Sequence, residues 1–339
     1  MKPSQNSSRP SGRVFVKTPL DTAIEVAATP ADDFAYFTID QAEDIRRYYA
    51  EYGYVVIRNL IPAEVCRIAR QEYEREVKPY KGFIYRQATA NPERHVYCEH
   101  GFMMNPILNV QSMDPRHFPE FRRLGVAVIT HANLQQAVSE LFGEAGKLVQ
   151  SMYFEGNPAT WPHQDTYYLD AEQIGRMTAA WVSVEQIAAG AGRFFIYPKS
   201  HLLDLEKNGG DVDIAFNHAR YKKRVVEIID SSGLECRAPA LGEGDVLLWA
   251  AKTIHGSLQT TQPEASRSSF TAHFIPRSSR FLQLQSRIKP LNLETIGGID
   301  VHKPKDLANV RNRGVLWVET TFPQTFQSVK KAAVKWLTG

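Results

Sequence analysis

The spacing of apolar and polar positions changes character along this chain, from a helical period before about residue 146 to a period of two after it. Thr38-Ile-Asp-Gln41 has the form of a capping box and predicts a helix to about Tyr52, stopped by Gly53. Tyr54–Arg58 reads as a β-branched strand, and Ile61-Pro-Ala-Glu opens a second helix with Pro in its first turn. Leu124, Val128, Leu134, Val138 and Leu141 within Phe118–Phe142 predict a helix pair packed on a sheet, with His131 structural.

From Leu148 onward the alternation puts Leu148, Gln150, Met152 and Phe154 on one face, and Met177–Val184, Phe194–Tyr197 and Val246–Trp249 follow as short strands. Short strands separated by Gly, Pro and Asn turns predict a mainly β fold with flanking helices, a β-sandwich of the jelly-roll type. Leu241-Gly-Glu-Gly-Asp245 is a turn, and Asp245 belongs to it. The expected organisation is a flexible N-terminal arm over 1–35 and one catalytic domain over 36–339. Its jelly-roll core spans about 146–277 and its C-terminal extension 278–339.

Three stretches stand outside this pattern. Lys78–Met113 is irregular and interleaves polar side chains with Met and aromatic residues, as a pocket rim or an ordinary core edge would. Tyr85, Arg86, Asn105 and Tyr167 are the candidate substrate contacts. Leu203–Arg237 reads as a solvated, charged insertion over the barrel mouth or edge. Phe322, Phe326, Val329, Ala333 and Trp336 fall at helical spacing, with Lys330, Lys331 and Lys335 elsewhere around that helix. Docking on the barrel or on a partner subunit is its commoner use, membrane-surface binding the rarer one.

With 339 residues and 43% hydrophobic content, the chain can bury a large core. A net charge of +3 with interspersed signs implies no strong field for nucleic acid or an anionic membrane. Cys66, Cys98 and Cys236 have no framework or CxxC spacing, which points to a reducing cytoplasm. The N-terminus lacks an apolar signal region, and no run of about 18 apolar residues exists to span a bilayer. The partner expected is a small-molecule substrate; oligomeric state is left open.

The chemistry centres on Trp161-Pro-His-Gln-Asp-Thr166. In an extended segment His163 and Asp165 point to one face, and His255 in Thr253-Ile-His-Gly-Ser257 is the best third ligand. Two His and one carboxylate form the facial triad of non-haem Fe(II) oxygenases. Further on, Arg267, Ser269, Thr271 and His273 share one face of a strand, and Phe270, Ala272 and Phe274 the other. An Arg on such an inward face needs a buried anion, and a dicarboxylate co-substrate fits.

These segments, with Gly53-Tyr-Val-Val-Ile57, Trp181, Pro198-Lys-Ser-His201 and Gly244-Asp245 in the same order, resemble the phytanoyl-CoA dioxygenase family of Fe(II)- and 2-oxoglutarate-dependent oxygenases. The resemblance implies a double-stranded β-helix of cupin-like form, iron at His163, Asp165 and His255, and 2-oxoglutarate on Arg267. It further implies Ser257 as a second co-substrate contact, with Trp181 and Met152, or Gln150 beside it, in the co-substrate pocket. The family's upstream Lys contact has no clear match here. Because Asp165 is retained, O2-dependent hydroxylation is expected over halogenation. A redox-neutral isomerase of the same fold would need a metal but not Arg267, and a metal-free binding protein would need neither.

Overall fold

The computed structural model describes residues 12–33, 36–203, 205, 214–326 and 328–329. Strands β1 (Arg13–Lys17) and β2 (Ala23–Ala27) form an antiparallel hairpin. Residues 12–33 are therefore docked and not a flexible arm. Val16 and Val26 are buried in a cluster with Tyr197 and Leu258, and the buried Arg193 donates to Ala27 O at 2.6 Å and Ala28 O at 2.7 Å. Residues 1–11 and 34–35 lie outside the described residues.

Helix α1 (Ala42–Tyr52) starts later than the capping box suggests. The Gln41 side chain does accept from the Thr38 N–H at 2.9 Å, but the Thr38 hydroxyl turns to the same oxygen at 3.2 Å, and Gln41 becomes the N-cap. Gly53, at φ 77°, ends the helix in the left-handed region that favours glycine. Strand β3 (Tyr54–Ile57) and α2 (Ala63–Glu72) follow, and the irregular stretch holds the two-residue strands β4 (Ile84–Tyr85), β5 (Pro92–Glu93) and β6 (Ile107–Leu108) and a 3-10 turn at Val110–Ser112. The expected helix pair is α3 (Pro119–Ile129) and α4 (Ala132–Phe142), with His131 capping α4 through Nδ1.

The sheets then build up through β7 (Gly146–Phe154), β8 (Leu169–Ala171), β9 (Thr178–Ser183) and β10 (Phe194–Ile196). After α5 (Ile214–Ser232) come β11 (Val246–Ala250), β12 (His255–Ser257) and β13 (Ser269–Pro276). Strands β14 (Phe281–Gln283), β15 (Arg287–Lys289), β16 (Leu293–Ile296), β17 (Ile299–His302) and helix α6 (Val310–Thr321) complete the chain. One large sheet has the order β16-β17-β7-β13-β9-β11-β3, with β6 also on β7; the smaller sheets are β10-β12 and β15-β14-β8. This is the jelly roll, a large sheet facing smaller ones. It reaches beyond 146–277, because β3 pairs with β11, β17 runs parallel to β7, and β14 pairs with β8.

Alternation along the strands separates two environments. Phe270, Ala272, Phe274 and Tyr153 pack on Tyr73, Phe121 and Leu134 from the helices, while Met152, Phe154, Trp181 and Trp249 turn inward with Phe194 and Ile196. One irregularity matters: opposite His273 and Phe274 the partners are Gln150 and Leu148, so Val149 is an extra residue in β7. Such a bulge flips the faces on either side of it. Leu148 consequently joins the helix-side core and does not share the face of Met152 as the sequence period suggests.

Helix α5 corrects the expectation of a solvated insertion, since Tyr221, Val225 and Ile228 are buried against Tyr167 and Phe195. The last helix lies at Val310–Thr321, with 323–326 also helical; Lys330, Lys331, Ala333, Lys335 and Trp336 lie outside the described residues.

His95 and Arg86 tie the irregular stretch together. Arg86 donates to Asn105 O at 3.0 Å and meets His95 Nδ1 at 3.2 Å, while His95 Nε2 meets Val77 O at 2.9 Å. Burial and the Arg86 charge push the His95 pKa down to about 4. An unfolded chain takes up a proton near pH 6.5 that this folded loop refuses until about 4, so His95 removes stability as pH falls through that window. Urea unfolding at pH 7.5, 6 and 5 should therefore show a shallower acid decline for His95→Gln than for the parent chain.

Candidate functional site

His163 and His255 are placed by a backbone bridge. The His163 N–H donates to His255 O at 3.0 Å and the His255 N–H to His163 O at 2.9 Å, which sets the two rings 4.3 Å apart. His163 Nδ1 lies 2.8 Å from Trp161 O and His255 Nδ1 lies 2.9 Å from Thr253 O. A carbonyl can only accept, so each Nδ1 carries the proton and each Nε2 offers a lone pair. Those Nε2 atoms stand 3.6 and 3.5 Å from Asp165 Oδ1. Gln164 is extended, which keeps His163 and Asp165 on one side, but the chain then enters a 3-10 turn at Asp165–Tyr167 and does not continue as a strand. The Gln164 N–H is anchored on Tyr221 Oη of α5 at 2.7 Å.

The donor atoms of His163, Asp165 and His255 lie within 4.8 Å of one another, close enough to share one metal ion. Two imidazole nitrogens and one carboxylate oxygen on one side suit Fe(II) with open positions opposite. Asp165 Oδ2 is occupied separately: it accepts from Trp249 Nε1 at 2.9 Å and lies 3.6 Å from His273 Nε2. Burial alone would raise this carboxyl, but the imidazoles packed around it, His255 first and then His163 and His273, hold it well below the usual carboxylate range. An ionised carboxylate is thus presented to a metal through Oδ1, with Oδ2 held back. Trp249 and His273 are absent from the sequence reading of the metal site. Strand parity already set His273 on the face of Arg267, and that was the available signal.

Arg267 is fully buried. It donates to Gly156 O at 3.2 Å and Gly192 O at 3.1 Å, and its guanidinium lies over the rings of Trp181 at 5.1 Å and Phe154 at 5.3 Å. No carboxylate pairs with it among the described residues, and burial pushes its pKa down to about 9. An unpaired buried ion costs several kcal/mol, so the pocket is complete only with an anion in it. Strand register assembles the remaining wall: Met152, Thr271, Trp181 and Leu247 form one cross-strand row, and Gln150, His273, Ala179 and Trp249 the next. Trp181 Nε1, Thr271 Oγ1 and His273 Nδ1 are buried there without protein partners. This donor-rich, desolvated space fits a small dicarboxylate. Ser257 Oγ accepts from the Thr160 N–H at 2.6 Å and has its hydroxyl proton left to offer.

The phytanoyl-CoA dioxygenase (PhyH) family model matches residues 49–268, a span that contains His163, Asp165, His255 and Arg267 and ends before Thr271 and His273. The chain belongs to the phytanoyl-CoA dioxygenase family. The peroxisomal phytanoyl-CoA dioxygenase of Homo sapiens is 24% identical over 326 residues, covering 91% of each chain. The phytanoyl-CoA dioxygenase domain-containing protein 1 of Mus musculus is 30% identical over 118 residues, covering 32% of this chain and 39% of that one. Among solved structures, the epimerase SnoN in complex with Fe3+, alpha ketoglutarate and nogalamycin RO superposes with a TM-score of 0.56. It is 14% identical and covers 79% of this chain and 97% of its own. EctD from S. alaskensis with 2-oxoglutarate and 5-hydroxyectoine gives 0.50 at 13% identity, with 87% and 97% covered. At these identities the structures share the fold.

Within this family member the candidate substrate contacts separate. Tyr85 lines a cavity that also has Gln150 in its wall, and its hydroxyl donates to Glu319 Oε2 at 2.9 Å. Arg86, by contrast, is buried and bonds to Asn105 O, Glu93 O and His95, so its donors are used inside the loop. The Asn105 side chain bridges Val96 N and Arg94 O, and Tyr167 donates to Leu205 O within the α5 cluster. These three have structural roles. His201 lies 3.1 Å from Ala50 O, and Asp245 accepts from Asn59 N and Gly242 N.

Asp165→Ala should reduce anaerobic Co(II) or Fe(II) affinity at least about 100-fold by titration calorimetry. Trp249→Phe, which removes the Nε1 donor and keeps an aromatic side chain of smaller size, should reduce it about 10-fold, the usual scale for a group that orients a ligand. Unchanged affinity in Asp165→Ala would remove that residue from the metal site.

Proposed function

We propose that this family member is an Fe(II)- and 2-oxoglutarate-dependent dioxygenase that hydroxylates an aliphatic C–H bond of a small-molecule metabolite. The observation that carries this reading is the pairing of a two-His, one-carboxylate cluster with a fully buried Arg267 that has no acidic partner among the described residues. A redox-neutral isomerase would have no use for that cation. The names of similar structures support the cofactors, since they include Fe3+, alpha ketoglutarate and 2-oxoglutarate. They also include an epimerase, so product analysis decides the outcome.

His163, Asp165 and His255 would hold the iron, and Arg267 the far carboxylate of 2-oxoglutarate. When bound, the metal and co-substrate together activate O2 for C–H oxidation, with release of succinate and CO2. The chain's own work is orientation and exclusion of water. The carbonyls of Trp161 and Thr253 fix the imidazole tautomers, and Trp249 fixes the carboxylate. Phe154 and Trp181 flank the guanidinium, where its charge acts at low dielectric. Retention of Asp165 leaves no small-residue gap for a halide. No helix of the described residues is long and apolar enough to cross a membrane, and Cys66, Cys98 and Cys236 are free thiols, consistent with a cytoplasmic enzyme.

Arg267→Gln should raise the 2-oxoglutarate concentration for half-maximal succinate release by about 100-fold, the loss of a bidentate charged contact, while leaving Fe(II) affinity within about three-fold. Parental co-substrate dependence in that variant would remove its assigned role. With a metabolite extract, hydroxylation should add one oxygen to the consumed compound by mass spectrometry; a product of unchanged mass would favour epimerisation.

A further inference from the structure

A cavity of about 650 Å3, a size suited to a drug-sized molecule, lies between the large sheet and α6. Its walls are apolar over Tyr80, Phe83, Leu108, Phe281 and Leu316. Gln150 belongs both to this lining and to the cross-strand row of His273 and Trp249 beside Asp165, so the cavity backs onto the site. At the other end the lining is cationic and has unfilled hydrogen-bonding capacity.

We propose that this cavity takes an apolar small molecule bearing one anionic group, a carboxylate or a phosphate, held by Lys289, His302 and Ser112 with its apolar body directed toward Gln150. Lys289, at the end of β15, is half-buried and has no carboxylate partner among the described residues. His302 is 3% exposed; its Nδ1 lies 3.0 Å from the Asn292 N–H and 3.2 Å from the Asn292 carbonyl, and with Nδ1 accepting at the shorter contact the ring proton is on Nε2, which is buried with no partner among the described residues. Burial and the nearby Lys289 charge keep that ring neutral. Ser112 Oγ, also lining the cavity, is buried and unpartnered too.

Two bonds hold the segments carrying His302 and Ser112 together. Gln111 Nε2 donates to His302 O at 2.8 Å, and the Leu307 N–H donates to Ser112 O at 2.9 Å. Arg313 reaches the same lining from α6 and bonds only to the Leu307 and Ala308 carbonyls, while the Lys305 ammonium lies 4.1 Å from the Tyr85 ring centroid. The one carboxylate in the lining, Asp114, is neutralised by Arg116 at 2.6 Å. A neutral ligand would leave a half-buried ammonium and two buried polar atoms uncompensated, whereas one anion satisfies all three.

The identification of this ligand as the substrate rests on the oxygenase reading; its binding does not. The test is a fluorescence titration of the metal-free full chain with 8-anilinonaphthalene-1-sulfonate and with N-phenyl-1-naphthylamine, which has the same apolar body without the anion. The sulfonate dye should bind at least about 10-fold more tightly, a charge-assisted contact's worth, and Lys289→Gln or Ser112→Ala should erase that preference without changing the neutral dye. Displacement by 2-naphthoate or by 2-naphthyl phosphate, but not by 2-naphthol, identifies which anion is preferred. Equal binding of both dyes, or a preference indifferent to both substitutions, overturns the proposal, and is also the pattern expected if the dyes merely coat the exposed Trp317 face of α6. Arg267→Gln should leave the dye preference intact, so failure of the co-substrate assignment and failure of this one are separable.

Discussion

A buried, ionised Asp165 carboxylate is the constraint that the interior of this protein is arranged to satisfy. In a desolvated position it is tolerable only when surrounded by donors or cations. The fold supplies the Trp249 indole N–H from β11 and His273 from β13 to one oxygen, and faces the other with His163, from the segment between β7 and β8, and His255 from β12, where a shared cation would sit. Each is fixed by backbone before any ligand arrives. The His163–His255 bridge sets the two rings side by side, and the register of β13 on β9 and β11 on β9 puts His273 and Trp249 in one row. Moving any of these strands by one residue would turn the row outward.

This division of labour explains why the two faces of the large sheet differ. The helix-side face is an ordinary hydrophobic core of Phe270, Phe274, Tyr153 and Phe121, and it supplies the stability. The inward face carries Arg267 without an acid and buried polar atoms without partners at Trp181, Thr271 and His273. Native interiors rarely leave such groups unsatisfied, and where they cluster the cause is a ligand position. The cost on one face is offset by packing on the other, across a single layer of backbone.

The sequence makes legible whatever depends on short-range spacing or strand parity. The helix pair, the fold class, the His163–Asp165 juxtaposition and the Arg267–His273 face all follow from such local rules. Three things escape them. The extra residue at Val149 reverses the face of Leu148, and no feature of an alternating pattern reveals a bulge. The N-terminal hairpin, read as an arm from its composition, docks because Arg193, distant in sequence, bonds to its carbonyls. Arg86 and Asn105 look like pocket residues by type, yet their polar groups are used to hold a loop that lacks regular hydrogen bonding of its own.

The same reasoning accounts for α5, whose charges suggest a solvated insertion. Its exposed side carries Lys222, Lys223 and Arg224, but every third or fourth residue from Tyr221 to Ile228 is buried, and Tyr221 Oη receives the backbone N–H of Gln164. That bond lies between the two ligand-type residues His163 and Asp165, so the insertion is a structural support of the site's geometry. The geometry of the centre depends in this way on an element that contributes no donor atom to it.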